Sequence, residues 1–290
     1  MPRAHDIRNN FGSYFQYILT AGLLGKTSFT FGGRYDHNSY FGDAISPRIA
    51  IVNQPGKKLT LKFQFGTAFR APTNLEIHQT PPSGNFQLEK EKIRNYETNA
   101  IYSISKNLRL QVNGFRNELT DVIVLGNLSG LTPDKNPGVI TVNGAETVLD
   151  IAITKNISGF LNFTYQDSRG KNLITHTSGE VPGIARIKGN AGITIHAGDL
   201  FIISLSGNQV GTRQSPRTDP YGPVKGYFLA NCAISTGKLY KNRITTSLNI
   251  HNILNTKWLD PGFRTADGLL YSTVLEQPGV NGLFKIGINF

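Results

Sequence analysis

Residues 58–69 read KLTLKFQFGTAF. Leu59, Leu61, Phe63, Phe65 and Phe69 fall on one parity, and Thr60, Lys62, Gln64, Gly66 and Ala68 on the other. Side chains alternate between the two faces of a β-strand, so this stretch makes one greasy face and one polar face. In a soluble sandwich the greasy face meets a core and the polar face meets bulk water. In a membrane barrel the greasy face meets lipid and the polar face meets a wet lumen. The same alternation fits both, and the rest of the chain must decide.

The pattern recurs. Thirteen strand-like segments are expected, at 12–22, 26–36, 45–54, 58–69, 93–104, 107–119, 144–154, 157–167, 183–196, 199–211, 225–236, 242–254 and 280–290. Most are longer than the five or six residues usual in a globular sheet and near the roughly 9 to 11 that a tilted membrane strand needs. Gly159, Leu161, Phe163 and Tyr165 alternate with Asn162, Thr164 and Gln166, and Phe201, Ile203 and Leu205 with Ser204, Ser206 and Asn208. The polar set includes long charged side chains such as Lys62, Arg186 and Lys188. A wet lumen accommodates these; a packed core does not. The 107–119 segment loses phase near Phe115, and 225–236 reads in either phase.

The connections alternate short and long. LLGK, QPGK, SISKN, TKNI, HAGD and STGKLYKN are short, whereas 37–44, 70–92, 120–143, 168–182, 212–224 and 255–279 are long. Short turns at one rim and long loops at the other mark an outer-membrane barrel, and long structureless loops count against a compact soluble domain. The closing LFKIGINF puts Phe284, Ile286, Ile288 and Phe290 on one face of a strand.

Composition narrows the classes. No apolar run of the 290-residue chain approaches the roughly 18 to 20 residues of a membrane helix. The mean hydropathy of −0.22 also argues against a helical bundle in lipid, but not against a barrel, whose strands are half apolar. The net charge of +11 is spread along the chain, which points away from nucleic acid. Cys232 is the only cysteine, so there is no intrachain disulfide and no cysteine-based zinc site. MPRAHDIRNN has no apolar stretch of a secretory signal, so a chain acting outside the cytoplasm is expected to begin downstream of its targeting segment. No linker or low-complexity tract interrupts the rhythm, and residues 1–290 are expected to form one domain.

Several stretches resemble TonB-dependent outer-membrane receptors, specifically the C-terminal part of their β-barrel. GTAFRAPTNLE at 66–76 runs a strand into a loop through Phe69, Arg70, Ala71 and Pro72. GNFQLEKEKIRNYE at 84–97 matches the family form at Gly84, Asn85, Leu88, Glu91, Asn95, Tyr96 and Glu97, while Phe86, Gln87 and Lys90 replace its usual Pro, Asn and Pro. LNIHNILNTKWLDPG at 248–262 is similar to the family's penultimate strand. ISPRIAIV at 45–52 and NELTDVI at 117–123 add to these.

The resemblance implies an all-β fold, an antiparallel transmembrane β-barrel, of which this chain supplies about thirteen of roughly 22 strands. The family's plug domain and early strands are expected to lie outside the sequence. It implies an energy-coupled outer-membrane receptor and transporter, not an enzyme, driven by the TonB complex and surrounded by lipid and lipopolysaccharide. The expected cargo is a ferric siderophore, with haem, cobalamin and oligosaccharides behind it. No intrinsic cofactor is implied, the ferric chelate being the transported ligand. The alternative is a passive porin-like channel, or a fragment without activity of its own.

Seven residues are candidates for ligand contact. Arg70 stands where a strand meets a loop of about twenty residues; its planar guanidinium suits an anionic chelate, or pairs with a lumenal carboxylate, Glu91 or Glu97. His78 lies in the interval where haem receptors of the family place a proposed axial ligand, and neutral imidazole ligates iron. Arg213, Arg217 and Tyr221 in TRQSPRTDPYGP, and Trp258 and Arg264 in KWLDPGFRTADG, mix cations with aromatics. That chemistry suits a catecholate chelate, and equally lipopolysaccharide phosphates and an interfacial girdle. His176 and His251 are weaker candidates, and no His-x-x-x-His spacing suggests a metal site. No G-x-S-x-G and no phosphate-cradling glycine loop is present, so no catalytic residue is assigned.

Overall fold

The structure, a computed structural model, describes residues 9–39, 41–73, 88–123, 138–172, 176, 178–215, 222–236, 243–261 and 274–288. Among these, the strands are β1 (Asn10–Ala21), β2 (Lys26–Asn38), β3 (Gly42–Gln54), β4 (Leu59–Arg70), β5 (Glu91–Ser105), β6 (Leu108–Val122), β7 (Gly138–Ala152), β8 (Ile157–Asn172), β9 (Ser178–Glu180), β10 (Ile187–Ala197), β11 (Phe201–Val210), β12 (Tyr227–Thr236), β13 (Ile244–His251), β14 (Leu259–Pro261), β15 (Val274–Glu276) and β16 (Asn281–Ile288). The hydrogen-bonded order is β1-β2-β3-β4-β5-β6-β7-β8-β10-β11-β12-β13-β16, with β9 on β8 and β14 paired to β15. No helix among the described residues is long and apolar enough to cross a membrane.

The contacts divide the chain into two compact units. The first comprises 1–100, 113–144 and 167–181; the second comprises 101–112, 145–166 and 182–290. In the first unit, register aligns Tyr17, Phe31, Ile49 and Phe65 across β1 to β4, and Leu19, Phe29, Ile51 and Phe63 one step along. In the second, Ile157, Ile195, Ile203, Ile234, Leu248 and Phe284 form one row across six strands. This register settles the phase of 225–236: Ile234 belongs to the apolar face.

Those rows are open. Phe31, Ile49, Phe63, Leu248 and Phe284 expose 37% to 62% of their surface. The buried apolar residues among those described are only Ala44, Ala50, Ala185 and Val224, and no large side chain is fully buried. A soluble sheet protein hides such rows against a second layer, and large apolar patches left open mark a membrane or partner surface. Here apolar rows run unbroken across neighbouring strands with no core behind them. That arrangement is stable when the surrounding medium is itself apolar. The opposite face is hydrogen-bonded and polar: Thr194 and Ser204 pair through their hydroxyls at 3.1 Å, and Asn208 donates to Asn190.

Several boundaries differ from the sequence expectation. β2 and β3 stay paired as far as Asn38 and Gly42, so strands occupy most of 37–44, expected as a long loop. β7 starts six residues before the expected 144, and β8 runs five past the expected 167. Beyond the apolar band both faces are wet, so alternation stops while the backbone ladder continues. In the other direction, β10 starts at Ile187, not 183, because Gly183 has a left-handed φ of 79°. β13 ends at His251, not 254, because Asn252 and Asn255 take φ of 52° and 49°.

Candidate functional site

Two polar clusters stand next to the long connections. In the first unit, Arg70 closes β4 and Glu91 opens β5. Arg70 Nε donates to Glu91 Oε2 at 2.5 Å, and Glu91 Oε1 accepts the Ile123 amide at 2.8 Å. One carboxylate thereby holds the ends of β4, β5 and β6. Arg70, at 45% exposure, pairs with one of the two carboxylates named for it in the sequence. Nearby, Lys92 donates to Asp121 at 3.0 Å, and the tilted rings of Phe41 and Phe69 pack with centroids 5.9 Å apart. Asn95 donates to Asn117 at 2.7 Å and to Glu97 at 3.1 Å, so three polar residues of the resemblance motifs lie in one network.

In the second unit, Arg213 is the hub. It bridges Ala185 on one side and Val224 on the other through backbone hydrogen bonding. Ala185 and Val224 are 1% and 2% exposed, the most deeply buried apolar residues among those described. The Arg213 side chain, 6% exposed, donates from Nη1 to Asp260 Oδ1 and from Nη2 to the Leu259 carbonyl, both at 2.5 Å. It also lies 5.3 Å from the centre of the Tyr227 ring, and Tyr227 packs on Trp258 with centroids 4.5 Å apart. Among the described residues, buried Arg213 Nε has no hydrogen-bond partner.

Neighbouring contacts complete this base. Gly183 N donates to Gln214 O at 2.8 Å, Gln277 N donates to Trp258 O, and the Trp258 indole donates to Pro278 O. Asn252, 3% exposed, links to Thr256 twice, accepting its amide and donating to its carbonyl, each at 2.9 Å. The bases of three long connections therefore share one small packed cluster. A buried guanidinium suits the place because it offers several donors in a fixed plane and an apolar face for an aromatic.

Of the candidate ligand residues, Arg70 closes β4, Trp258 directly precedes β14 and Arg213 lies beyond the end of β11, with Arg213 and Trp258 in one cluster. His78, Arg217, Tyr221 and Arg264 lie outside the described residues. His176 is exposed with a φ of 52°, and His251 is exposed at the end of β13. Sequence reasoning did not single out Tyr227, Asp260 or Asn252. Asp260 carried a signal, two residues from Trp258 and opposite in charge to Arg213; Tyr227 and Asn252 acquire their roles only from register and φ. Among the described residues, no group of three or more His, Cys, Asp and Glu side chains is placed to hold a metal ion.

Comparison with known proteins adds four findings. A family model described as TonB dependent receptor-like, beta-barrel, matches residues 2–253. The iron-regulated outer membrane virulence protein of Vibrio cholerae serotype O1 (Classical Ogawa) is 30% identical over 173 residues, 52% of this chain and 26% of that protein. A mutant of the ferric enterobactin receptor of Pseudomonas aeruginosa superposes with a TM-score of 0.76 at 20% identity, over 98% of this chain and 45% of that one. The FrpB iron transporter of Neisseria meningitidis gives 0.75 at 15% identity, over 98% and 45%. At these identities the structural likeness speaks for the fold alone. This chain spans less than half the length of either structure, and its matched stretch about a quarter of the Vibrio protein.

Proposed function

Because this chain belongs to the TonB-dependent receptor-like β-barrel family, we propose that it forms part of an energy-coupled outer-membrane receptor that imports a ferric siderophore. The observation that carries this reading is the pairing of open apolar strand rows with a rim of cations and aromatics at the bases of the long loops. The names of its relatives favour iron: an iron-regulated outer membrane protein, a ferric enterobactin receptor and an iron transporter.

In this reading the ligand meets the receptor at the long loops. Arg70, half exposed at the end of β4, is placed to meet chelate oxygens, and the Trp258 ring offers a stacking face. His78, Arg217, Tyr221 and Arg264, which lie outside the described residues, are proposed as further ligand contacts on their sequence positions alone. Arg213 serves the ligand by fixing the loop bases, since its side chain is 6% exposed. The apolar rows meet lipid, and rim cations meet lipopolysaccharide phosphates. Release into the periplasm draws on the TonB complex through parts of the receptor beyond these 290 residues.

The test is uptake of radiolabelled iron, supplied as a catecholate or hydroxamate chelate, by cells whose only siderophore receptor contains this chain. The reading expects saturable uptake that stops in cells without TonB or after a protonophore. Uptake that continues undiminished without TonB would identify a passive channel instead, and absence of uptake for every iron chelate would remove iron as the cargo.

A further inference from the structure

The short turns carry a chemistry that the transport reading does not use. In the first unit the connection from β1 to β2 runs Gly22, Leu23, Leu24 and Gly25, with Lys26 opening β2. Leu24 and Gly25 take left-handed φ of 51° and 96°. That region suits glycine, asparagine or aspartate, and a leucine placed there is strained. Leu24 gains little packing in return: it is 82% exposed, and Leu23 beside it is 61% exposed. A strained backbone that holds an apolar side chain out of the fold points to a surface that receives it.

This turn is built onto the apolar wall. Thr27 and Asn53 face each other across β2 and β3, two residues along from Phe29 and Ile51 on the same face. Thr27 Oγ1 donates to the Leu23 carbonyl at 2.5 Å, and Asn53 Nδ2 donates to Thr27 Oγ1 at 2.7 Å and to the Leu24 carbonyl at 3.2 Å. The bonds give these donors partners, as polar groups beside hydrocarbon require, and hold both leucines where the apolar rows end. Gly25 lies against the next turn, since a Cβ there would sit 2.1 Å from the Gln54 carbonyl. That turn adds Lys57 and Lys58, both exposed. Two leucines and three lysines thus share one platform, and neither turn contains an acidic residue.

The pattern recurs in the second unit. In the turn from β7 to β8, Ile153 is 53% exposed and Lys155 is exposed. Ala152 N donates to Asn107 O and His196 N to Asn156 O, both at 2.8 Å, which ties this turn to its neighbours on both sides. Those neighbours belong to this chain, so the exposure is the turn's own. Among the described short turns, Asp199 is the only acidic residue.

We propose that the short turns anchor the barrel to anionic phospholipid headgroups in the leaflet on their side of the membrane. Leu23 and Leu24 enter the acyl boundary, and Lys26, Lys57 and Lys58 meet the phosphates. Apolar side chains flanked by lysines are the composition that binds an anionic bilayer surface. An acidic soluble partner would account for the lysines but not for leucines held out where the lipid-facing rows end. The inference rests on the barrel lying in a bilayer and not on its cargo.

The test uses the intact receptor, carrying Cys232→Ala and free of other cysteines, in vesicles of equal parts phosphatidylcholine and phosphatidylglycerol. Leu24→Cys is labelled with bimane, and a nitroxide quencher is placed on the acyl chain of one lipid or the other. The label should be quenched by both, with an association constant about fivefold higher for phosphatidylglycerol, the factor that one lysine near an anionic surface contributes. The triple variant Lys26→Gln, Lys57→Gln and Lys58→Gln should bring the two lipids level. Leu205→Cys on β11, labelled in the same way, is the control. Quenched by both lipids alike, it reports the barrel in the bilayer whatever happens at Leu24, so failure of the anchor and failure of the membrane reading are told apart. The proposal is overturned if the label at position 24 is quenched only by aqueous iodide, as on a platform kept for a soluble partner. It is equally overturned if the two lipids quench alike, or if the preference survives in the triple variant.

Discussion

Substituting Arg213 by alanine isolates what the buried hub contributes. The change deletes two charge-assisted hydrogen bonds, to Asp260 and to the Leu259 carbonyl, each worth roughly 1.5 kcal/mol at the lower end of the range for charged groups. It also deletes the contact with the Tyr227 ring, about 0.5 to 1 kcal/mol. Two features reduce the loss. Asp260 is 37% exposed and regains water, and the buried Nε without a partner disappears with the side chain. The net cost is about 2 to 3 kcal/mol, below the roughly 3 to 5 for breaking a fully buried pair. The cost falls on the loop bases, because Arg213 lies outside the main ladder.

The assay is amide hydrogen exchange on the intact receptor. Val224 N donates to Arg213 O at 2.9 Å and Gly183 N to Gln214 O at 2.8 Å, so peptides containing these amides report the cluster opening. At about 1.4 kcal/mol per factor of ten, their exchange should quicken roughly 30- to 150-fold, while amides of β11 around Leu205 stay unchanged. Arg213→Lys, which keeps the charge but loses the fork, should fall between. Exchange at Val224 and Gly183 within threefold of wild type would refute the hub. Equal acceleration in β11 would refute its local character.

Two more substitutions test local geometry. Asn252→Ala removes both links to Thr256 and leaves a non-glycine residue at a φ of 52°, whereas Asn252→Gly removes only the links. Tryptic cleavage after Lys257 should therefore be fastest in the alanine variant, slower in the glycine variant and slowest in wild type, the two variants differing by about 1 kcal/mol; equal rates would show that the turn needs no left-handed residue. A Cβ at Gly192 would sit 2.5 Å from the Phe160 ring, so Gly192→Ala should cost about 1 to 3 kcal/mol and lower the thermal midpoint, with Phe160→Leu in the same chain restoring it; no recovery in the double variant would mean that the ring is not what resists the methyl group.

The sequence was most legible where one face meets a different medium from the other. KLTLKFQFGTAF could be phased by eye because Phe63 and Phe65 must share a face, and β4 runs from Leu59 to Arg70. It was least legible where that contrast vanishes. Nothing in residues 138–143 alternates, yet β7 includes them because the backbone ladder extends into the wet rim. Backbone handedness was hidden as well: Asn252 resembles any strand residue until its φ is known. For the site, the sequence singled out Arg70 because a strand meets a loop there, and Trp258 because its loop mixes cations with aromatics; Arg70 closes β4 and Trp258 packs on Tyr227. It could not foresee that Arg213 would be buried, since that depends on Asp260 returning 47 residues later to face it.

Which medium touches the apolar rows can be measured directly on β11. Cys232 lies opposite Leu205 on the apolar face, so it is first replaced by alanine. Nitroxide labels are then placed singly at positions 201 to 206 of the intact receptor in a lipid bilayer, and collisions with oxygen and with a water-soluble nickel chelate are compared. The account predicts a period of two, with oxygen favoured at Phe201, Ile203 and Leu205 and the nickel chelate favoured at Ile202, Ser204 and Ser206. Labels at 201, 203 and 205 that are shielded from oxygen, or accessible to the nickel chelate as in a water-exposed sheet, would contradict it.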